Sequence, residues 1–317
     1  MAKRLFIVHG WGFNPKMNWY PWLKSKFEKV GFKVFVPEMP NTPEPNIDAW
    51  VSHLKKVVGN LDENTYFIGH SIGCQTIIRF LEKEKYDGKI GKVIFVAGWF
   101  NLDNLEGEEV KEIAVPWINT NINFNKVKEK IGHLTVFLSS NEPYGCLEEN
   151  KKTFEKKLKA KVIILKDKGH FTEDDGVKEI QEALNEILKT ILVDAVDSFV
   201  IEDNGNFKIF KEMYDLLEAF QNRKIILTGA NDEQFKKFGL DKMPYDVFTL
   251  KHNPEKTNPK YFEIMLKHFG LKKDDVIYFE HNPQAIKSAE SIGIKSYHYE
   301  PEKKDLKALK EFLDQNL

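Results

Sequence analysis

Residues 66–73, YFIGHSIG, carry the strongest structural signal in the chain. A short apolar run, Tyr66–Ile68, precedes Gly69-His70-Ser71-Ile72-Gly73, and apolar residues at helical spacing follow. A G-x-S-x-G sequence between a strand and a helix forms a sharp turn that exposes the serine hydroxyl at the edge of a sheet. The glycines suit this turn because it is strained and leaves little room for a Cβ atom. The motif therefore predicts an α/β fold with Ser71 as a nucleophile.

Outward from this turn, short β-branched runs alternate with amphipathic stretches along the whole chain. This alternation predicts parallel sheets covered by helices. The strands predicted in the first half are Arg4–Val8, Lys33–Val36, Tyr66–Ile68, Lys92–Val96, Leu134–Leu138 and Lys161–Leu165. The strands predicted in the second half are Thr190–Val193, Lys224–Leu227, Asp246–Thr249, Val276–Phe279 and Lys295–Tyr299.

The length of 317 residues and the restart of the pattern near Lys189 predict two domains, residues 1–189 and residues 190–317. A helix over about Gly176–Lys189 closes the first of them. The junction has no segment rich in Pro, Gly or Ser. We therefore expect the two domains to be joined tightly and not by a flexible tether.

A carboxylate and a histidine follow the later strands of the first half. A serine needs a base to become nucleophilic, and after this type of turn the acid precedes the histidine along the chain. Glu142 lies in the loop after Leu134–Leu138, and His170 lies in the loop after Lys161–Leu165. We predict that Glu142 accepts a hydrogen bond from His170, fixes its tautomer and stabilises the imidazolium. Asp167 is too close to His170 along the chain to be the first choice of acid.

The first strand is followed by His9-Gly10-Trp11-Gly12, a loop that predicts part of an oxyanion hole. The backbone amide of Trp11 is the expected second donor beside the amide of Ile72, which begins the helix after Ser71. We expect His9 to brace this loop and not to react. Trp11 and Trp99 are the aromatic residues expected to line an apolar acyl pocket, and all six tryptophans of the chain fall in this half.

The first half resembles the small serine hydrolases that include retinoblastoma-binding protein nine and its bacterial relatives. The resemblance covers about residues 1–189 and rests on several short motifs. They are Val8–Gly12, Asn18–Leu23, Pro37–Pro40, Gly69–Gly73, the SSNEPY run at 139–144, and Gly169–Phe171. The resemblance implies a compact α/β-hydrolase with little or no lid, a small acyl ester as substrate, and no cofactor.

One position departs from the pattern of that family. The family usually has two aspartates before Pro-Tyr, and the second of them is the acid of the triad. This chain has Asn141-Glu142 at those positions. Glutamate serves as the acid in other α/β-hydrolases, so the sequence predicts a Ser-His-Glu triad that cleaves short-chain carboxylic esters through an acyl-enzyme. The extra methylene requires a small rearrangement, and we expect it to reduce activity.

The second half carries an ordered series of weaker motifs. Asp194 ends a predicted strand, Thr228 ends the next, Lys256 precedes a helix, and Glu280-His281 follows a later strand. This order resembles the haloacid dehalogenase-like superfamily, whose motifs are a nucleophilic aspartate, a Ser/Thr, a lysine and a closing acidic pair. The resemblance covers about residues 190–317 and implies a Rossmann-like domain. The stretch between Asp194 and Thr228 is too short for a large cap that would enclose a small substrate. The predicted fold class is therefore α/β, an α/β-hydrolase sandwich followed by this second domain.

The chemistry of the second half stays open at this point. Phosphatases of that superfamily carry a second aspartate two residues after the first, as a general acid, but Val196 occupies this position and Asp197 comes one residue late. Glu280 is the remaining candidate ligand for Mg²⁺, and His281 replaces the other closing acid. Two alternatives to the esterase remain. One is a Mg²⁺-dependent phosphatase that uses Asp194, Thr228 and Lys256, and the other is a non-catalytic binding protein.

The composition limits which partners and which cellular compartment we expect. Lys+Arg total 47 and Asp+Glu total 48, so electrostatics gives no reason to expect nucleic acid or an anionic membrane as a partner. The start of the chain shows no signal peptide, and no apolar run approaches a membrane span. With only two cysteines, Cys74 and Cys146, we expect free thiols and a cytoplasmic protein. The oligomeric state cannot be read from the sequence.

Overall fold

A computed structural model describes residues 2–317 of the chain. The chain divides into two compact units between Glu186 and Ile187, three residues before the junction expected from the sequence pattern. Each unit has its own parallel sheet and its own hydrophobic core. The two units are described separately below.

The first unit is built on a six-stranded parallel sheet with the strand order β2-β1-β3-β4-β5-β6. Its strands are β1 (Arg4–Val8), β2 (Lys33–Phe35), β3 (Thr65–His70), β4 (Val93–Val96), β5 (Leu134–Ser139) and β6 (Lys161–Leu165). The central strands are apolar on both faces and almost entirely buried, as expected for a parallel sheet between helical layers. The sequence prediction of these strands is confirmed, with bounds that coincide or differ by at most two residues.

Six helices connect these strands, and a seventh follows β6: α1 (Tyr20–Lys29), α2 (Ile47–Val58), α3 (Ile72–Lys83), α4 (Glu108–Asn119), α5 (Phe124–Lys130), α6 (Leu147–Leu158) and α7 (Gln181–Ile187). The side chain of Asn46 caps α2 by accepting hydrogen bonds from the amides of Asp48 and Ala49. Helix α3 is buried along nearly its whole length and packs against the interior strands β3 and β1. Helix α7 begins at Gln181 and not near Gly176, because Gly176 has a φ of 77° that no right-handed helix permits.

The second unit contains a five-stranded parallel sheet with the order β11-β10-β7-β12-β13. Its strands are β7 (Thr190–Asp194), β10 (Lys224–Thr228), β11 (Asp246–Thr249), β12 (Val276–Glu280) and β13 (Lys295–His298). The chain direction places Asp194, Thr228 and Glu280 at the carboxyl ends of three neighbouring strands. The sequence prediction of this strand set is also confirmed.

An antiparallel hairpin, β8 (Val200–Asp203) with β9 (Asn206–Ile209), follows β7 and was not predicted. Its two-residue turn is Asn204-Gly205, with φ of 51° and 82°, the combination that a type I′ hairpin turn needs. The helices of this unit are α8 (Lys211–Glu218), α9 (Asp232–Lys237), α10 (Pro259–Phe269), α11 (Pro283–Ser291) and α12 (Leu306–Asn316), with short 3₁₀ turns at Leu240–Lys242 and Lys273–Asp275.

Two expectations from composition concern the chain as a whole. Both Cys74 and Cys146 are free thiols, as expected. Across residues 2–317, none of the helices combines the length and the apolar character required to cross a bilayer.

Candidate active site

Ser71 lies on the sharp turn between β3 and α3, with φ of 53° and ψ of −123°. A non-glycine residue pays for a positive φ with steric strain, so this conformation must be held by its surroundings. A Cβ atom at Gly73 would lie 2.3 Å from the carbonyl oxygen of Val8, and one at Gly69 would lie 2.8 Å from the backbone of Cys74. Both glycines of the motif are therefore required by the close approach of neighbouring backbone.

Two backbone amides near Ser71 have no acceptor within residues 2–317: the amide of Ile72 and the amide of Trp11. The amide of Ile72 is one of the unpaired donors at the start of α3. The loop that carries Trp11 is fixed by a bond from the Gly12 amide to the Thr42 carbonyl, 2.9 Å, and by a bond from the Trp11 indole to the Pro43 carbonyl, 2.7 Å. These unpaired amides are of the kind that binds developing negative charge.

His9 braces the same loop, as the sequence analysis expected. Its Nε2 accepts a hydrogen bond from the Met39 amide at 3.1 Å, and its Nδ1 lies 3.0 Å from the Gly10 carbonyl oxygen. Burial lowers the pKa of His9, which keeps the ring neutral. The ring is fully buried and is absent from the wall of the cavity in front of Ser71.

The side chains of His170 and Glu142 meet: His170 Nδ1 lies 2.8 Å from Glu142 Oε1. Only 10% of the His170 side chain and 11% of the Glu142 side chain are exposed, so water screens this pair weakly. Because Nδ1 faces a carboxylate, it carries the ring proton and leaves the Nε2 lone pair available. The longer side chain of glutamate thus reaches the histidine without loss of hydrogen-bond geometry.

The loop that carries His170 is held by side chains that the sequence analysis did not single out. Asp175 Oδ2 accepts a hydrogen bond from the His170 amide at 2.9 Å and another from the Thr172 amide at 3.0 Å. Asn141 Oδ1 accepts a bond from the Gly169 amide at 2.8 Å. Asn141 and Asp175 therefore shape the backbone on which the histidine stands, and no local sequence pattern marks such contacts.

Ser71 and His170 line one cavity of about 480 Å³. Its wall is mainly apolar and includes Trp11 and Trp99, the two aromatic residues expected there, together with Leu102. The Ser71 hydroxyl makes no hydrogen bond to His170 within the described residues; instead Trp99 Nε1 donates to Ser71 Oγ at 3.2 Å. Such contacts are often loose before substrate binds.

A buried hydrogen-bonded chain connects the loop before Ser71 with the loop of His170. The Gly10 amide donates to Tyr20 Oη at 3.3 Å, and Tyr20 Oη donates to His70 Nδ1 at 2.6 Å. His70 Nε2 then donates to the His170 carbonyl at 2.8 Å. Burial, with a smaller effect of His170, lowers the pKa of His70 to about 3, so the ring is neutral and this tautomer is fixed. The sequence analysis gave no role to Tyr20 or to the side chain of His70.

The fold and the geometry of this site define a class of protein, an α/β hydrolase with a serine at a strand-to-helix turn. The model of the family described as "Serine hydrolase" matches residues 5–189, more than half of the chain. The chain therefore belongs to the serine hydrolase family. This confirms the resemblance drawn from the motifs of the first half.

Individual relatives agree with this assignment over the same half. The chain is 27% identical over 176 residues to YdeN of Bacillus subtilis (strain 168), which covers 56% of this chain and 90% of the relative. It is 25% identical over 156 residues to the serine hydrolase RBBP9 of Rattus norvegicus, covering 49% of this chain and 78% of the relative. The crystal structure of the ydeN gene product superimposes with a TM-score of 0.53 at 26% identity and covers 57% of this chain and 95% of that structure.

In the second unit, three of the four residues selected from the sequence meet. Lys256 Nζ donates to Asp194 Oδ1 at 2.5 Å and to Glu280 Oε2 at 2.6 Å, and the side chains of both acids are at most 1% exposed. Thr228 is on the neighbouring strand, and its hydroxyl accepts a hydrogen bond from the Ala230 amide at 3.1 Å. Thr228 makes no hydrogen bond to Asp194 within the described residues.

His281 completes this cluster, a role that the sequence analysis did not assign to it. Its Nδ1 lies 2.6 Å from Asp194 Oδ2 and 3.1 Å from Glu280 Oε1. Hydrogen bonds to Asp194 and Glu280 raise the pKa of His281 to about 10, so the imidazolium persists at neutral pH. Burial disfavours the charge on Lys256, but Asp194 and Glu280 outweigh this effect and raise the pKa of Lys256. Two cations therefore balance two buried carboxylates.

The same cluster does not fit a Mg²⁺ ion. One oxygen of each carboxylate and a ring nitrogen of His281 lie within 4.8 Å of one another, close enough to share an ion. However, Mg²⁺ binds through one or two carboxylates and water in near-octahedral geometry, and here both carboxylates are already in contact with two cations, Lys256 and His281. The oxygen Asp194 Oδ2 also accepts a bond from Ser198 at 2.7 Å, and Glu280 Oε1 accepts one from the Asn282 amide at 3.0 Å. Glu280, the expected metal ligand, binds Lys256, His281 and Tyr278 instead.

Proposed function

We propose that the first unit hydrolyses carboxylic esters of small apolar acyl groups, with Ser71 as the nucleophile. The observation that carries this proposal is the pair formed by His170 and Glu142 on the wall of the cavity that Ser71 also lines. A carboxylate on Nδ1 leaves Nε2 as a base toward that cavity. Family membership supports a hydrolase, and the ester and the triad are our proposal.

The reaction would proceed in two steps. In the first, Ser71 Oγ adds to the ester carbonyl while His170 Nε2 takes the hydroxyl proton, and the imidazolium then gives this proton to the departing alcohol. In the second, water adds to the acyl-enzyme with His170 again as the base, and Ser71 leaves as the restored hydroxyl. Glu142 stabilises the imidazolium in both steps, and the amides of Ile72 and Trp11 would bind the oxyanion.

The cavity supports small acyl groups as substrates. Its volume of about 480 Å³ lies in the lower part of the range of small-molecule sites. Trp11, Phe13, Trp99, Leu102 and Leu105 contribute apolar surface to it. Thioesters and amides react through the same groups. The substrate is therefore proposed as a class, an acyl compound of modest size without a cofactor.

The test is labelling by a fluorophosphonate and turnover of p-nitrophenyl butyrate, with Ser71→Ala beside the wild-type protein. We expect both signals to be lost in Ser71→Ala. The matched control is Ser52→Ala, which removes an exposed hydroxyl on α2 and should leave both signals unchanged. Absence of labelling in the wild-type protein, or labelling that persists in Ser71→Ala, would overturn the proposal.

For the second unit we propose a haloacid dehalogenase-like fold without a large cap. The strand order β11-β10-β7-β12-β13 and the meeting of Asp194, Lys256 and Glu280 at one sheet edge support it. Between β7 and β10 the chain forms only the hairpin β8–β9 and the helix α8. Because the cluster does not fit Mg²⁺, we favour a non-catalytic or binding role over a Mg²⁺-dependent phosphatase.

The experiment for the second unit is turnover of p-nitrophenyl phosphate by the full chain, with and without added MgCl₂. We expect no turnover that depends on Mg²⁺. Hydrolysis that needs Mg²⁺ and disappears in Asp194→Asn would restore the phosphatase alternative.

We also propose that the protein is cytoplasmic. Its proposed partner is a small acyl compound, and we propose neither nucleic acid nor a membrane as a partner.

A further inference from the structure

Arg79, on α3, is a buried cation that lies over the Trp117 ring at 5.9 Å and has no carboxylate of the described residues in direct contact, although Glu82 acts on it through space. The residue is 2% exposed, and across residues 2–317 no carboxylate forms an ion pair with it. Its Nη2 donates to Gln75 Oε1 at 3.0 Å and to the carbonyls of Trp117 and Thr120 at 2.7 and 3.1 Å. These contacts tie α3 to the end of α4. All of these hydrogen bonds come from Nη2, so the structural role leaves Nε and Nη1 without a partner among the described residues.

The remaining nitrogens of Arg79 have no acceptor in the described part of the chain. Nε is fully buried and unpaired, and Nη1, which also makes no hydrogen bond, keeps some accessible surface. A guanidinium stays charged at any physiological pH, and it offers its N–H groups as a planar fork that matches a carboxylate or a phosphate. Buried polar groups without partners are rare in folded proteins, and an ion that the site binds is one of the few reasons for them.

Arg79 lines a second cavity of about 800 Å³, adjacent to the one in front of Ser71 and not lined by Ser71 or His170. Lys83 and Lys126 add positive charge to its wall. The acids on this wall have partners of their own. Asp48 pairs with Lys83 at 3.0 Å, and Glu82 Oε1 accepts a hydrogen bond from the Asn123 amide at 2.7 Å. Glu44 and Glu82 accept only amide hydrogen bonds and Glu82 acts on Arg79 through space, so what distinguishes Arg79 on this wall is that its Nε and Nη1 make no hydrogen bond within residues 2–317.

We propose that this cavity is a binding site for a small oxyanion, a phosphate or carboxylate group carried by a metabolite, with Arg79 as its anchor. The anion would accept hydrogen bonds from Arg79 Nη1, and Lys126 would contribute charge from the exposed part of the wall. Ile113 and Glu44 line both this cavity and the one in front of Ser71. The site requires no chemistry at Ser71, so it stands independently of the proposed esterase.

The test is isothermal titration of the full chain with inorganic phosphate and, separately, with succinate at constant ionic strength. These two probes distinguish a phosphate source from a carboxylate source. We expect saturable binding of at least one of them below about 10 mM, and unchanged binding in Ser71→Ala. No saturable binding of either probe by the wild-type protein would overturn the proposal.

Arginine variants separate this site from general charge effects. We expect Arg79→Gln to weaken binding by at least about tenfold, the range of one charge-assisted contact. The matched control is Arg4→Gln: Arg4 also donates to backbone carbonyls, at Val58 and Asn60, but it is paired with Asp62 at 3.2 Å. Binding that is equally weak in Arg4→Gln, or unchanged in Arg79→Gln, would contradict the proposal.

Because Arg79 also holds the end of α4, Arg79→Gln could fail to fold. Lys126→Gln is the second variant for that case, since this lysine is exposed and lies on the cavity wall. We expect it to fold normally and to weaken binding by about threefold, through loss of a nearby charge. Unchanged affinity in a folded Lys126→Gln protein would show that the anion does not bind in this cavity.

Discussion

Each unit of the chain brings a histidine against carboxylate at the carboxyl edge of a parallel sheet, and the two arrangements differ in what they leave free. In the first unit, Glu142 takes only Nδ1 of His170, and the ring also lines the cavity in front of Ser71. In the second unit, His281 Nδ1 lies between Asp194 and Glu280, whose other oxygens are occupied by Lys256. A ring with one free lone pair can act as a base, whereas a ring held as an imidazolium serves to neutralise charge.

The largest effect expected from this comparison is on the acid of the first unit. Glu142→Gln keeps the size of the side chain but removes the charge that stabilises the imidazolium, so kcat for p-nitrophenyl butyrate should fall by about 10²- to 10⁴-fold. Glu142→Asp, which keeps the charge on a shorter side chain, should retain more activity than Glu142→Gln. A Glu142→Gln enzyme with kcat within about twofold of wild type would show that another group supports His170.

Titration with MgCl₂ tests the same comparison in the second unit. Because His281 fills the space beside Asp194 and Glu280 as a cation, the wild-type protein should show no saturable rise in unfolding temperature with MgCl₂. His281→Asp replaces the nitrogen donor by oxygen and removes the cation, so this variant should gain a saturable response to Mg²⁺. Calorimetry of both proteins with increasing MgCl₂ measures the two unfolding temperatures. A saturable rise in the wild-type protein would show that the cluster does bind the ion.

The protonation of His281 also sets a pH dependence for the second unit. Its pKa is raised above the value of about 6.5 in the unfolded chain, so its contribution to stability is complete below that pH and is lost as the pH rises through about 10. The groups that face it are Asp194, Glu280 and, at 3.9 Å, Asp197. We expect the stability of this unit to fall between pH 7 and pH 10, about the window of that shift.

A variant at the same position tests that sign. In His281→Gln the alkaline loss of stability should be much smaller, while stability at neutral pH should be lower than in wild type. Urea unfolding at several pH values measures both. The interpretation would be wrong if the wild-type protein were equally stable at both ends of the range, or if His281→Gln showed the same slope with pH.

The smallest expected effect concerns the buried chain through Tyr20 and His70. Tyr20→Phe removes both hydrogen bonds of the hydroxyl and leaves the buried Gly10 amide and His70 Nδ1 unpaired, so it should destabilise the protein by about 1–3 kcal/mol. Because His70 contacts the backbone of His170, kcat should also fall by about three- to tenfold, with KM nearly unchanged. The matched control is Tyr86→Phe, whose hydroxyl is at an exposed site. Equal kinetics in both variants would limit Tyr20 to a packing role.

The regular parts of the fold could be predicted from the sequence because their signals are local. Arg4–Val8, Lys161–Leu165 and Asp246–Thr249 have the bounds that their apolar runs predict. The hairpin β8–β9 was missed, although Asn204-Gly205 is the strongest short turn signal available, because its strands carry charged residues in place of an apolar run.

For the site, the sequence indicated the residues that belong to a motif. It did not indicate the contacts of residues that only the fold brings together. Ser71 is marked by its own turn, and His170 and Glu142 by their order after strands. Asp175 accepts a hydrogen bond from the His170 amide, and Trp99, expected only as part of the pocket wall, also donates to the Ser71 hydroxyl; neither hydrogen bond leaves a pattern in the sequence. The sequence shows His281 only as a residue that replaces a closing acid. The geometry shows that its Nδ1 lies between two buried carboxylates.

The distribution of tryptophan has a practical consequence for work on the two units. All six tryptophans lie before residue 118, so every indole belongs to the first unit and none to the second. Intrinsic fluorescence excited at the red edge of the indole band therefore reports on the first unit alone. Trp99 is itself hydrogen-bonded to the Ser71 hydroxyl, so acylation of that oxygen should alter its emission. A single stopped-flow trace could then record formation and decay of an acyl-enzyme with no label attached to the protein.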